Sequence, residues 1–182
     1  MDSSDGMNMD ELIGSQSYCV YHGQQYVERS FGQDRRSGAW YVTIPRPQDC
    51  TEASFPDALE FGNADDQWIK LPVQALSRRW REVVFGIWRG VKVQVTILHK
   101  GGQDIVSCGS NDLRAGECGL PGDQYQGWQG PVSADEVQLT YKEIHEYPIN
   151  PPGGVLHRED VTVTRVPFGS ISGTKETIEQ DG

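Results

Sequence analysis

Seven loop acids are the residues of this chain whose type could do chemistry: Glu60, Asp65, Asp66, Asp104, Asp112, Glu117 and Asp123. Two carboxylates held side by side can share acid and base roles. None of these comes with a recognisable nucleophile or metal partner in the sequence. The histidines, His22, His99, His145 and His157, have neither ligand nor triad spacing. Phosphate-loop, zinc-protease and nucleophile-elbow motifs do not occur. The reading is therefore a protein that is not an enzyme, with no catalytic residue, no cofactor and no metal. Its loop charge then serves either solvation or a partner protein.

The cysteines point the same way. Cys19, Cys50, Cys108 and Cys118 are scattered without a C-x-x-C pair. Reduced, partly buried thiols in a cytoplasmic protein fit this pattern better than zinc or disulfides.

The basic residues gather in one stripe, Arg78, Arg79, Arg81, Arg89 and Lys92. Such a stripe could meet nucleic acid or an acidic patch. The chain as a whole carries a net charge of -10, which repels a polyanion, so nucleic-acid binding is disfavoured. Trp80 sits among these arginines, and Trp and Arg are the commonest interface anchors. Packing between two halves of the chain is its other role.

The elements that must position these residues are β-strands. Of 182 residues, 40 are Leu, Ile, Val or Phe, and Val outnumbers Leu 16 to 9. Gly occurs 21 times. β-branched residues suit pleated sheets and Gly suits turns, so the chain should be mainly β with little helix.

Two stretches also resemble each other. Tyr21-His22-Gly23 and Trp88-Arg89-Gly90 each lead into an alternating strand, then a polar turn, then a second strand: Ala39–Ile44 in the first, Ile105–Cys108 in the second. Each stretch closes on a Trp strand and a Pro-Val step, Trp68…Pro72-Val73 and Trp128…Pro131-Val132. Proline should end the strand, and a single helical turn should follow, with Ser133 as a cap. Leu76 or Val137 then closes a core. This ending resembles that of SH3-like barrels. It implies two tandem small SH3-like barrel-type units from an internal repeat.

The expected organisation follows. Residues 1–17 form a disordered acidic N-terminus. Residues 18–76 are the first unit, 77–82 a linker and 83–147 the second unit. Residues 148–182 are a tail broken by Pro and Gly, with a candidate strand over 160–166. No targeting or membrane-spanning segment is expected. Trp40, Trp68, Trp88 and Trp128 recur at similar places. Core packing is the favoured role for them, and a shallow aromatic groove for extended peptides the alternative.

Trp88-Arg89-Gly90 with its valine strand, Gly101-Gly102-Gln103-Asp104, Gly119-Leu120 and the closing Trp128…Pro131-Val132…Glu136-Val137 together resemble actinobacterial immunity factors. These neutralise the tuberculosis necrotizing toxin and its relatives, which are NAD glycohydrolases. The resemblance spans roughly residues 18–147. It implies a cytoplasmic immunity protein that occludes a toxin domain's active site, as a monomer in a one-to-one complex. On the residues themselves, the partner-binding candidates are Asp65, Asp66, Asp104 and Asp112, with Trp80 and Arg78. The alternative is a tandem SH3-like adaptor for a peptide or RNA.

Overall fold

Gly and short polar turns divide the chain into many short strands. A computed structural model shows their arrangement for residues 11–151, 156–168 and 176–177. In chain order the strands are β1 (Glu11–Ile13), β2 (Gln16–Tyr21), β3 (Gln24–Val27), β4 (Ser30–Gln33), β5 (Trp40–Pro45), β6 (Glu60–Phe61), β7 (Trp68–Pro72), β8 (Arg78–Trp88), β9 (Val91–Lys100), β10 (Gln103–Ser110), β11 (Gly122–Asp123), β12 (Gly127–Val132), β13 (Val137–Tyr147), β14 (Thr162–Pro167) and β15 (Glu176–Thr177). One short α-helix, α1 (Leu113–Glu117), precedes β11. The protein is mainly β with little helix, built from a large curled sheet and a small second sheet. No helix among the described residues is long and apolar enough to cross a membrane.

The chain divides into two compact units. Among the described residues, unit one takes those of 16–82, 144–164 and 177, and unit two those of 11–15, 83–143, 165–168 and 176. In unit one the small sheet runs β4-β5-β7-β6, and β2 pairs with both β3 and the first half of β8. Its core is built on Cys19, Tyr21, Val42, Ile44, Ile69 and Leu71. In unit two the order is β11-β12-β10-β9-β8. Its core is valine-rich: Val84, Val91, Val93, Val95 and Val106, closed by Trp88 and Trp128. The alternation of buried and exposed residues along β9 explains this, because period two puts every second valine inside.

The two stretches singled out by sequence share their turns. His22-Gly23 joins β2 to β3 with φ of 47° and 78°, and Arg89-Gly90 joins β8 to β9 with φ of 46° and 77°. Positive φ at both central residues marks the hairpin turn whose twist matches the strands. After β7 and after β12 a single 3-10 turn follows, Val73–Ala75 and Ala134–Glu136. Ser133 occupies the cap position, but its hydroxyl makes no cap bond. β12 also runs one residue past Pro131, which sits opposite Ser107.

Two expected boundaries are corrected. Residues 78–82 are not a linker: they are the first half of the eleven-residue strand β8 and pair with β2, Trp80 opposite Tyr18. The expected N-terminal disorder fails where it can be checked, because Glu11–Ile13 is a strand and β2 begins at Gln16. β9 supplies the reason. Its residues 91–94 pair with β8, and β1 takes up the ladder positions at Ile97, Leu98 and His99. Residues 1–10 lie outside the described residues. The candidate strand near 160–166 is β14, at Thr162–Pro167.

Candidate functional site

Most of the acids singled out from sequence sit beside a local partner. Asp65 and Asp66 lie in an exposed turn whose backbone N–H groups donate to Asn63 Oδ1 at 3.1 and 2.9 Å. Asp66 also pairs with Arg29 at 3.3 Å. Asp104 forms an ion pair with His99 across the β9–β10 hairpin. Asp112 caps α1, accepting from the Arg114 backbone N–H at 3.0 Å and from its guanidinium at 2.6 Å. Those Arg114 hydrogen bonds hold the Asp112 carboxyl below its usual range.

Three arginines of the basic stripe, Arg78, Arg79 and Arg89, are paired in the same way, whereas Lys92 is not, among the described residues. Arg78 donates to Glu146 through Nε at 2.8 Å, and Arg89 to Glu136 at 3.1 Å. Glu136 also accepts from Trp88 Nε1 at 3.0 Å. Trp80 is not an exposed anchor. It is buried, stacked on Tyr18 at 5.4 Å, with the Arg78 guanidinium 4.0 Å from its ring centroid. β8 turns its ring inward, so it contributes packing within unit one.

Sequence reading missed an acid–base trio at the β2–β3 turn. Tyr21 Oη donates to Asp57 at 2.9 Å, and His22 Nε2 lies 3.4 Å from the same carboxylate. Tyr21 and His22 stack at 4.1 Å, and the trio ties the turn to the segment after Phe55. No group of three or more His, Cys, Asp or Glu among the described residues could hold a metal ion.

The concave feature of unit one lies elsewhere. On β5, Trp40 shares a face with Val42 and Ile44, because side chains alternate along a strand. On β4, Phe31 sits opposite Val42 and so joins that face. Val42 and Ile44 are fully buried, yet Phe31 is 48% exposed and Trp40 45% exposed. The core-facing side of the small sheet therefore continues past its core into the open. There the two rings stack at 5.1 Å and 8°. They form one wall of a groove of about 730 Å³. Pro72 and Val73 line it from the end of β7, and Pro148, Ile149 and Leu156 from the segments after β13.

Arg79, which also lines the groove, belongs to a buried charge pair. Arg79 donates to Glu28 at 2.6 and 3.1 Å, and both side chains are at most 10% exposed. Burial pushes the Glu28 carboxyl above its usual range, while the Arg79 hydrogen bonds pull against it. The Arg79 guanidinium lies 4.1 Å from the Phe31 ring centroid and 5.1 Å from that of Tyr147. The stack thus runs Tyr147, Arg79, Phe31, Trp40. With Arg79 neutralised by Glu28, the groove offers aromatic and apolar surface and little net charge.

Of the four repeated tryptophans, Trp88 and Trp128 are core residues and Trp68 is half-buried. Trp40 takes the groove role. Phe31, Pro148 and Leu156 were not singled out from sequence. Compared with family models, with curated proteins and with solved structures, the chain matches none.

Proposed function

We propose that this protein is a non-catalytic binding module that takes an extended, proline-bearing segment of a partner protein into the groove of Phe31 and Trp40. The observation that carries this reading is the uncovered continuation of a sheet's core face, with two large aromatic rings left about half exposed. Contiguous exposed apolar surface of this kind marks interaction sites. Its chemistry selects the occupant. The groove is close to neutral, so a charged peptide gains little from it. Prolyl rings already belong to its walls, at Pro72, Pro148 and Pro151. An extended proline-bearing chain also loses little entropy on docking against aromatic rings.

The acidic loops support a partner site less well. Asp66 and Asp112 each pair with an arginine within the chain, and Asp104 contacts His99, which reduces the field that could steer a partner. The immunity reading then becomes a statement about which protein carries the segment: a toxin domain with an exposed proline-bearing loop is a partner of this class.

The test is selection from a displayed library of dodecamers carrying prolines three positions apart, followed by calorimetry on the full chain. Phe31→Ala and Trp40→Ala should each weaken a selected peptide about tenfold or more, as for hot-spot aromatics. An empty selection contradicts the proposal. So does binding to either variant as tight as to the wild-type chain.

A further inference from the structure

Unit two carries a second concave feature, on the outer face of its sheet. Strand pairing places four residues on one rung. Phe85 of β8 faces Gln94 of β9, Gln94 faces Gly109 of β10, and Gly109 faces Gln129 of β12. Direct cross-strand partners share a face, so Gly109 leaves a notch between two glutamines, with Phe85 beside them. Lys92, two residues before Gln94, joins the same face. The notch encloses about 310 Å³ and is closed at one end by Asn111.

Gly109 is unlike the other glycines of its kind. Six described glycines lack a positive φ: Gly32, Gly62, Gly86, Gly109, Gly116 and Gly130. At five of them an added Cβ would meet another atom at 2.9 Å or less. At Gly109 the nearest atom would be Trp128 O at 3.8 Å, then Gln129 Cγ at 3.9 Å. Neither backbone conformation nor packing requires glycine here. What the missing side chain provides is the space itself.

The rim is polar and unspent. Among the described residues, the side chains of Gln94, Asn111 and Gln129 make no hydrogen bond. Each amide presents one acceptor and two donors, and this dual character suits hydroxyl groups, which both donate and accept. The Lys92 ammonium lies 4.8 Å from the Phe85 ring centroid and 5.2 Å from that of Tyr141. It has no carboxylate partner among the described residues, in a chain of net charge -10. Arg165, 4.0 Å from the same Tyr141 centroid, is paired with Glu143, so Lys92 is the cation left for a ligand, and beside a row of free amides it fits one rich in hydroxyls that carries one negative group. A nucleic acid fits poorly, because one lysine does not offset the repulsion of its phosphates by the chain.

We propose that the notch above Gly109 is a carbohydrate site, taking one acidic sugar unit with its carboxylate on Lys92 and its hydroxyls on Gln94, Gln129 and Asn111. The site is independent of the groove of unit one and of the partner proposed for it.

The experiment is an amide-detected NMR titration of the full chain with three acidic probes: trigalacturonate, a hyaluronan tetrasaccharide and sialyl-lactose. Maltotriose serves as the neutral comparison and oligo-uridylate as the nucleic-acid comparison. At least one acidic probe should shift the Gly109 resonance and the side-chain amides of Gln94 and Gln129. It should bind about tenfold more tightly than maltotriose, the scale of one charge-assisted hydrogen bond. Lys92→Gln should reduce it to the level of the neutral sugar. Gly109→Val should abolish binding while the melting temperature stays within about 2 °C, since a β-branched residue suits a strand. If that variant does not fold, Gly109→Ala and Gln94→Leu carry the same test. No shift with any acidic probe overturns the proposal, as does binding that survives Gly109→Val. Shifts confined to Phe31 and Trp40, or seen with oligo-uridylate alone, also overturn it.

Discussion

Arg79→Met should destabilise the protein by about 3–5 kcal/mol at neutral pH, because it leaves the buried Glu28 carboxyl without its charge and hydrogen-bond partner. The structure supports the upper part of that range. The Glu28 side chain is 3% exposed, and Arg79 is its hydrogen-bonding partner through two nitrogens. Methionine keeps the apolar stem against Phe31 but loses the cation–π contact, which adds about 1 kcal/mol. The double variant Glu28→Gln with Arg79→Met removes both charges and should recover most of the loss. Urea unfolding of wild type, both single variants and the double variant gives the coupling energy.

pH provides a second reading of the same pair. Burial raises the Glu28 carboxyl above its unfolded value. The folded state therefore holds the proton more tightly. The stability this contributes is complete below the ordinary carboxylate range and is lost as pH rises through the raised value. Without Arg79 the carboxyl rises further. The cost of Arg79→Met should thus shrink as pH falls toward the carboxylate range, where Glu28 becomes neutral. A cost under about 1 kcal/mol, or one unchanged between neutral and acidic pH, would mean that Arg79 does not offset a buried Glu28 charge.

Trp128→Ala should cost about 3–5 kcal/mol in the same urea assay, because its indole closes the valine core and covers Gly116. Gly86→Ala should also destabilise measurably, since its Cβ would lie 2.7 Å from Gln138 O. Burial pushes the Cys19 thiol up to about 12 and the Cys108 thiol up to about 11. Native alkylation at pH 8, followed by mass spectrometry, should therefore label half-buried Cys50 and Cys118 well before these two. Reversing Asp65 and Asp66 to Lys should change peptide affinity at the groove less than about threefold by calorimetry, as exposed charges outside an interface core contribute little.

The local β signals were legible because they are local. His22-Gly23 and Arg89-Gly90 announce hairpin turns through glycine in a required left-handed position, and the alternating valines of β9 show which face is buried. The first half of β8 was hidden because its polar letters, Arg78-Arg79-Trp80-Arg81-Glu82, mask an inward-facing arginine. Only Glu28, 51 residues away, makes that burial tolerable. β1 was hidden because three residues carry little propensity of their own. Its place comes from ladder positions on β9 that only the fold exposes. The groove was half legible. Trp40 carries the spacing of a core tryptophan, and nothing local shows that the core ends before reaching it. Ile149, Pro148 and Leu156 join it through distant segments of the chain.

Trp40 and Phe31, on the proposed reading, bind an extended proline-bearing segment. The most direct measurement is the Trp40 indole N–H resonance, assigned by its absence in Trp40→Phe, during titration with a peptide selected for its two spaced prolines. That resonance should shift progressively, saturating at one peptide per chain, and binding should be lost in Phe31→Ala. Saturable peptide binding that leaves the Trp40 resonance in place would contradict it.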